Sequence, residues 1–306
     1  MATEVASTQS TGPGGVPNAV LYGVMAIGVA AIGAAAVFIR LAGDAEPMAI
    51  AAYRMSVGTA AVGGFALLTA RHQFAVIRRR DLGWLVLAGA FLAAHFATWI
   101  TSLQMTSLAN SVFLVTTTPM FTAIGSHFVL RDRVGIAMVV AVTLGLGGGV
   151  ILAAGEAGSQ GGFGGDMLAL AGAVAMAGNL LVGRRVRGHI PLLPYVTVVY
   201  GVAAVLLVAS ALAAGSPLTG LPTETYLWML LAGLIPQTIG HSTLSWALAH
   251  ASATTVAMST RAEPIIATAL AIPVLGEVPQ WTIIPGGLLL FVGVGLALRS
   301  EVTKGR

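Results

Sequence analysis

Cysteine is absent from this chain of 306 residues, which excludes disulfides, thiolate metal sites and cysteine nucleophiles. Charge is scarce. Asp, Glu, Lys and Arg make up 8% of the residues, hydrophobic residues 57%, and the mean hydropathy is +0.90. Soluble domains carry about a quarter charged residues. Water therefore cannot be the solvent of this whole surface, and lipid must cover much of it. Catalytic signatures are also missing: there is no paired-carboxylate metal site on adjacent helical turns and no Gly-rich phosphate loop. His241 and Ser242 do not make a hydrolase pair, because adjacent residues on a helix do not face each other. The segments between hydrophobic runs are too short for a catalytic domain. The expectation is thus no enzyme, no metal and no cofactor. The net charge of +4 and pI near 10 reflect membrane topology, since the basic residues sit between hydrophobic runs, and no nucleic-acid partner is expected.

What is present is a series of long apolar runs. Ten spans are expected, at 19–39, 47–70, 82–103, 108–130, 135–154, 167–183, 192–214, 226–249, 253–275 and 281–298, each near the ~17–25 residues that cross a hydrocarbon core. The sixth is short, and the break at 104–107 carries no charge. Residues 1–17 are polar, with Glu4 and no Lys or Arg, and are read as a disordered cytoplasmic tail rather than a signal peptide. With the N-terminus inside, the inner loops hold Arg71, Arg78, Arg79, Arg80, Arg131, Arg133, Arg184, Arg185, Arg187, Arg299, Lys304 and Arg306. The outer loops hold Asp44, Glu46, Glu156, Asp166, Glu224 and Glu277, with only Arg40 beside them. The alternation satisfies the positive-inside rule. It places both termini in the cytoplasm and the chain in the cell (inner) membrane as a multi-pass protein.

The two halves match in order. Tyr53 pairs with Tyr200, Leu87-Ala88-Gly89 with Leu231-Ala232-Gly233, Trp99 with Trp246, Pro119 with Pro264, and Val129-Leu130 with Val274-Leu275. Five spans per repeat is odd, so the second copy is inverted. Inverted repeats are a common design of alternating-access transporters, with the substrate site between the halves near the midplane. The expected fold is an all-α integral membrane protein of ten transmembrane helices in two inverted five-helix repeats. The repeats are expected at 18–155 and 165–298, with a cytoplasmic tail at 299–306.

The stretch from Pro47 to Tyr53 and Arg54 resembles the start of the second helix in EamA-type members of the drug/metabolite transporter superfamily. So do the run from Gly89 through His95, Trp99 and Ser107 to Pro119, and Pro264 with the ending Leu275-Gly276-Glu277. Where many members have Gly-Glu after the fourth helix, this chain has Arg131-Asp132. The resemblance implies a central cavity lined by helices 1 to 4 and 6 to 9. It also implies a secondary active transporter, first of all an exporter of a small metabolite such as an amino acid, with proton coupling. Import of a cofactor or nucleobase-like solute, and multidrug efflux, are the alternatives. The expected partners are the lipid bilayer, a small-molecule substrate and H+, for a monomer or homodimer.

Ionisable groups at membrane depth are functional candidates by default. Arg54 either snorkels to the outer interface or grips a substrate carboxylate or phosphate with its forked guanidinium. Arg261 and Glu263 point to opposite faces of the ninth span, so each needs another partner, and Arg54 or His95 is available to Glu263. Their alternative is a structural ion pair. Glu263 is the candidate proton-coupling residue. His95 and His241 are expected in the outer and inner halves, either as substrate ligands or as neutral residues bonded to backbone carbonyls. Thr117, Asn179 and Gln237 are candidate polar wall residues, and Trp99 and Tyr200 candidate stacking surfaces. Pro119 and Pro264 mark helix breaks near mid-membrane, where discontinuous helices form binding sites.

Overall fold

Backbone in lipid has no water to bond, so helix is the conformation that apolar runs must take. The structure is a computed structural model that describes residues 16–43, 45–130, 136–155 and 162–304. It opens with α1 (Asn18–Gly33) and α2 (Ala35–Leu41), then α3 (Pro47–Thr69) and α4 (Arg79–Met105). Next come α5 (Leu108–Val115), α6 (Thr118–Leu130), α7 (Ile136–Gly155), α8 (Gly162–Arg187) and α9 (Leu192–Ala213). The last part holds α10 (Thr223–Ala232), α11 (Ser242–Ala247), α12 (Ala253–Ser259), α13 (Glu263–Leu275) and α14 (Ile283–Lys304).

Among the described residues six stretches are long and apolar enough to span a bilayer: Asn18–Leu41, Pro47–Thr69, Arg79–Met105, Leu108–Ser126, Gly162–Arg187 and Leu192–Ala213. The protein is a multi-pass membrane protein. The tail at 1–15, Asp44, Arg131-Asp132-Arg133, Glu156 and Arg306 lie outside the described residues.

The span expected at 167–183 is longer, running over Gly162–Arg187. Two satisfied ends explain the extension. Near its start Asp166 accepts a hydrogen bond from the Thr106 hydroxyl at 2.8 Å. In its last turn Arg184 donates to the Leu248 carbonyl and Arg187 to the Ser245 carbonyl, where basic groups also suit the helix dipole. The uncharged break after α4 is real: Ser107 caps α5, its hydroxyl accepting from the Asn110 N–H at 3.2 Å, a stop that needs no charge.

The run 108–130 breaks between α5 and α6, with Pro119 in the first turn of α6. The run 253–275 breaks at a 3-10 turn, Thr260–Ala262, with Pro264 in the first turn of α13, where a missing N–H costs nothing. Two further interruptions were not expected, the first a turn at Ala34 that parts α1 from α2. Gly233–His241, with Pro236 inside, is a π-helical stretch between α10 and α11.

The halves pack by exchange. α3 lies along α9 and α7 along α14, each helix against its own counterpart, while α4 packs on α8 as α1 packs on the π stretch. The crossing of α1 with the π stretch is glycine on glycine. A Cβ on Gly240 would lie 2.5 Å from Ile32 Cγ1 and 3.2 Å from the Gly28 carbonyl oxygen.

Candidate functional site

Five residues chosen from the sequence, His95, Trp99, Asn179, His241 and Glu263, line one central cavity beside the broken helices. Thr116 and Thr118 line it too, while Thr117 between them turns its hydroxyl to the Leu114 carbonyl. Apolar wall comes from Ile32, Met176, Leu180 and Leu244. The space open to water-sized centres is about 40 Å3, the scale of a few waters, so this conformation is a narrow one.

The wall is held by bonds to backbone. His95 Nδ1 donates to the Gly172 carbonyl oxygen at 3.0 Å. This fixes the tautomer and leaves Nε2 as an acceptor in the neutral ring. Gly172 permits that approach of α8 to α4, since a Cβ there would sit 3.3 Å from Trp99 Cβ. Asn179 donates to the Ala88 carbonyl at 2.9 Å, leaving its own carbonyl oxygen for another partner. His95 stacks on Trp99 with ring centroids 5.8 Å apart. The two histidines were expected at different depths, but their rings lie 6.4 Å apart. The π stretch carries His241 across to α4.

Arg54 does not snorkel; it is fully buried in α3. Its Nε donates to Gln237 Oε1 at 3.3 Å, and its guanidinium lies 4.3 Å from the Phe96 ring centroid and 5.7 Å from that of Trp99. Both terminal nitrogens of Arg54, the Gln237 amide nitrogen and the Trp99 indole nitrogen are buried without acceptors among the described residues. All four are donors. Leaving a buried cation short of acceptors costs several kcal/mol, so a group of acceptors is the missing complement.

Glu263, also buried, faces the cavity from the first turn of α13. It and Arg54 act on each other electrostatically, but among the described residues no ion pair joins them. Arg261 is turned the other way. Its guanidinium donates to the Phe291 carbonyl of α14 and packs 5.0 Å from that residue's ring. Of the two, Glu263 lines the cavity and Arg261 does not. Tyr200 lies behind the wall, its hydroxyl near Ser242 Oγ at 3.2 Å and the Gln237 carbonyl at 3.4 Å. Phe96 was not singled out beforehand. Its place one helical turn before Trp99 is the signal that puts both rings on the face meeting Arg54.

At one end of the molecule, Arg40 Nε pairs with Glu277 Oε1 at 3.4 Å, and Glu277 Oε2 accepts from the Leu108 N–H at 3.3 Å. Arg40 also donates to the Thr106 carbonyl at 2.9 Å. The three contacts tie the ends of α2, α4, α5 and α13 together.

A family model described as the EamA-like transporter family matches residues 20–154 and again 163–299. A solved structure titled only as the crystal structure of a protein superposes with TM-score 0.66 at 18% identity, over 90% of this chain and 96% of that one; the likeness is one of fold. A search of curated proteins returns no match.

Proposed function

Because the chain belongs to the EamA-like transporter family, and is therefore a membrane transporter, we propose that it is a secondary active exporter of a small zwitterionic metabolite such as an amino acid. One observation carries the substrate reading. A buried guanidinium whose two terminal nitrogens have no acceptor among the described residues stands on one side of the His95–Trp99–His241 wall, and the buried Glu263 carboxyl group stands on the other. A solute carboxylate supplies the acceptors that Arg54, Gln237 and Trp99 lack. Its ammonium meets Glu263. His95 and Asn179 offer acceptors to side-chain donors. Arg54 lies one layer behind the cavity wall, so the solute reaches it when Phe96 and Trp99 move with helix rearrangement.

Glu263 is the proton site in this scheme. Proton and substrate ammonium compete for one carboxylate, which couples their movement in opposite directions. Ten spans, inverted repeats at 18–155 and 165–298, and both termini in the cytoplasm of the cell membrane complete the proposal. The loop arginines support that orientation.

The test is efflux from cells loaded with mixed dipeptides, comparing the wild type with Arg54→Gln and Glu263→Gln at matched expression. The expected result is an amino acid accumulating outside with the wild type alone. Collapse of the proton gradient should abolish it. Uptake in place of efflux would make the protein an importer. Efflux insensitive to the gradient would remove Glu263 from the coupling role.

A further inference from the structure

Away from the central cavity, where the first turn of α4 meets the last turn of α8, lies a second pocket of about 240 Å3 lined by Arg80, Asp81, Trp84, Arg185, Val186 and His189. Its floor is fixed. Asp81 Oδ2 accepts from the Arg78 N–H at 3.0 Å, and Asp81 Oδ1 is 3.1 Å from His189 Nε2, so both carboxylate oxygens are engaged. The Arg185 guanidinium is held over the Trp84 ring, 4.5 Å from its centroid. Neither Arg80 nor Arg185 has a hydrogen-bond acceptor among the described residues. Two arginines thus line a hollow whose one carboxylate is already held by its own hydrogen bonds.

We propose that this pocket holds the phosphate of an anionic phospholipid headgroup. The shared chemistry, a phosphate oxyanion, also describes free phosphate, but the surroundings favour lipid. Trp84 is an aromatic with a polar edge, suited to the membrane interface. Leu87 follows it one turn along α4 on the same face, and both are exposed. An acyl chain descending from the headgroup meets this apolar face. Basic pockets between transmembrane helices are recurrent anionic-lipid sites. The inference rests on the membrane reading and not on the substrate. The pocket joins α4 to α8, which pack extensively on each other, so a bound lipid bridges the two repeats.

The experiment is native mass spectrometry of the full chain released from mixed phosphatidylglycerol and phosphatidylcholine nanodiscs, with or without inorganic phosphate. The wild type should retain one phosphatidylglycerol in preference to phosphatidylcholine. The double variant Arg80→Gln/Arg185→Gln should lose about thirtyfold of that preference, at about fivefold per arginine. Arg71→Gln/Arg79→Gln removes equal charge outside the pocket and should keep it. Equal retention of both lipids, or equal loss in both double variants, would overturn the proposal. Displacement of the lipid by millimolar inorganic phosphate would also overturn it, by reassigning the site to a soluble anion. The readout is lipid retention, so a wrong substrate leaves it untouched.

Discussion

At Arg54 a single side chain carries the proposed substrate reading. A charge in the second apolar run was visible in the sequence, but its depth was not, because a long flexible stem either reaches the interface or stays inside. Packing under Phe96 and Trp99 decides for the interior. We expect Arg54→Lys to fold and to lower kcat/KM for efflux by tenfold to a hundredfold, roughly the loss of one charge-assisted hydrogen bond of a fork. Matching wild-type kinetics in proteoliposomes would remove Arg54 from the site. A second residue gives a pH signature. His250, in the turn between α11 and α12, packs on Trp246 with centroids 4.5 Å apart. Partial burial first, then Arg187 and Arg184, hold its imidazole below the usual histidine range. The folded chain therefore binds this proton less readily than the unfolded chain. The group adds nothing above about pH 6.5 and destabilises as pH falls below it. Thermal melts in detergent from pH 7.5 to 5 should fall less steeply for His250→Gln than for the wild type.

At the scale of elements, three breaks build the site. Two were legible because proline in mid-span frees a carbonyl and stops the helix; Pro119 and Pro264 do so where α6 and α13 begin. The π stretch was not legible. Pro236 between Gly233 and Gly240 marks it, but whether a proline yields a kink or an extra residue per turn depends on what packs against it. Here α1 crosses at Gly28 and Gly240, and we expect Gly240→Ala to cost about 1–3 kcal/mol by overpacking, read as a lower melting temperature with normal membrane insertion. The tie between Arg40 and Glu277 belongs to this scale as well. Both side chains are partly exposed, and such a pair is worth about 1 kcal/mol or less. Because the chain lacks cysteine, a Thr116→Cys reporter in the cavity gives a clean signal. Adding Glu277→Gln should raise its labelling by an impermeant thiol reagent, applied from the Arg40 face, by up to about fivefold. Unchanged labelling would mean the tie does not gate the cavity.

For the whole molecule the decisive features are loop charge and repeat. Reporter fusions at both ends should read cytoplasmic, and insertions after Met105 and after Gly215 should read external; any reversal would change the span count. Composition alone made the protein a helical membrane protein, because so few charges cannot cover a water-facing surface. The order of matching pairs announced two repeats, since covalent sequence preserves a duplication. Proline placed the helix breaks, and burial cost singled out Arg54 and Glu263 as residues that need a reason. What the tertiary structure alone decided is who meets whom. It brought His241 beside His95, sent Arg261 to α14 and Glu263 to the cavity, put Thr117 behind Thr116 and Thr118, and left four donors around Arg54 without acceptors among the described residues. Periodicity fixes the face of a helix on which a side chain stands, but the rotation and depth of each helix against its neighbours come from packing, which no local pattern encodes.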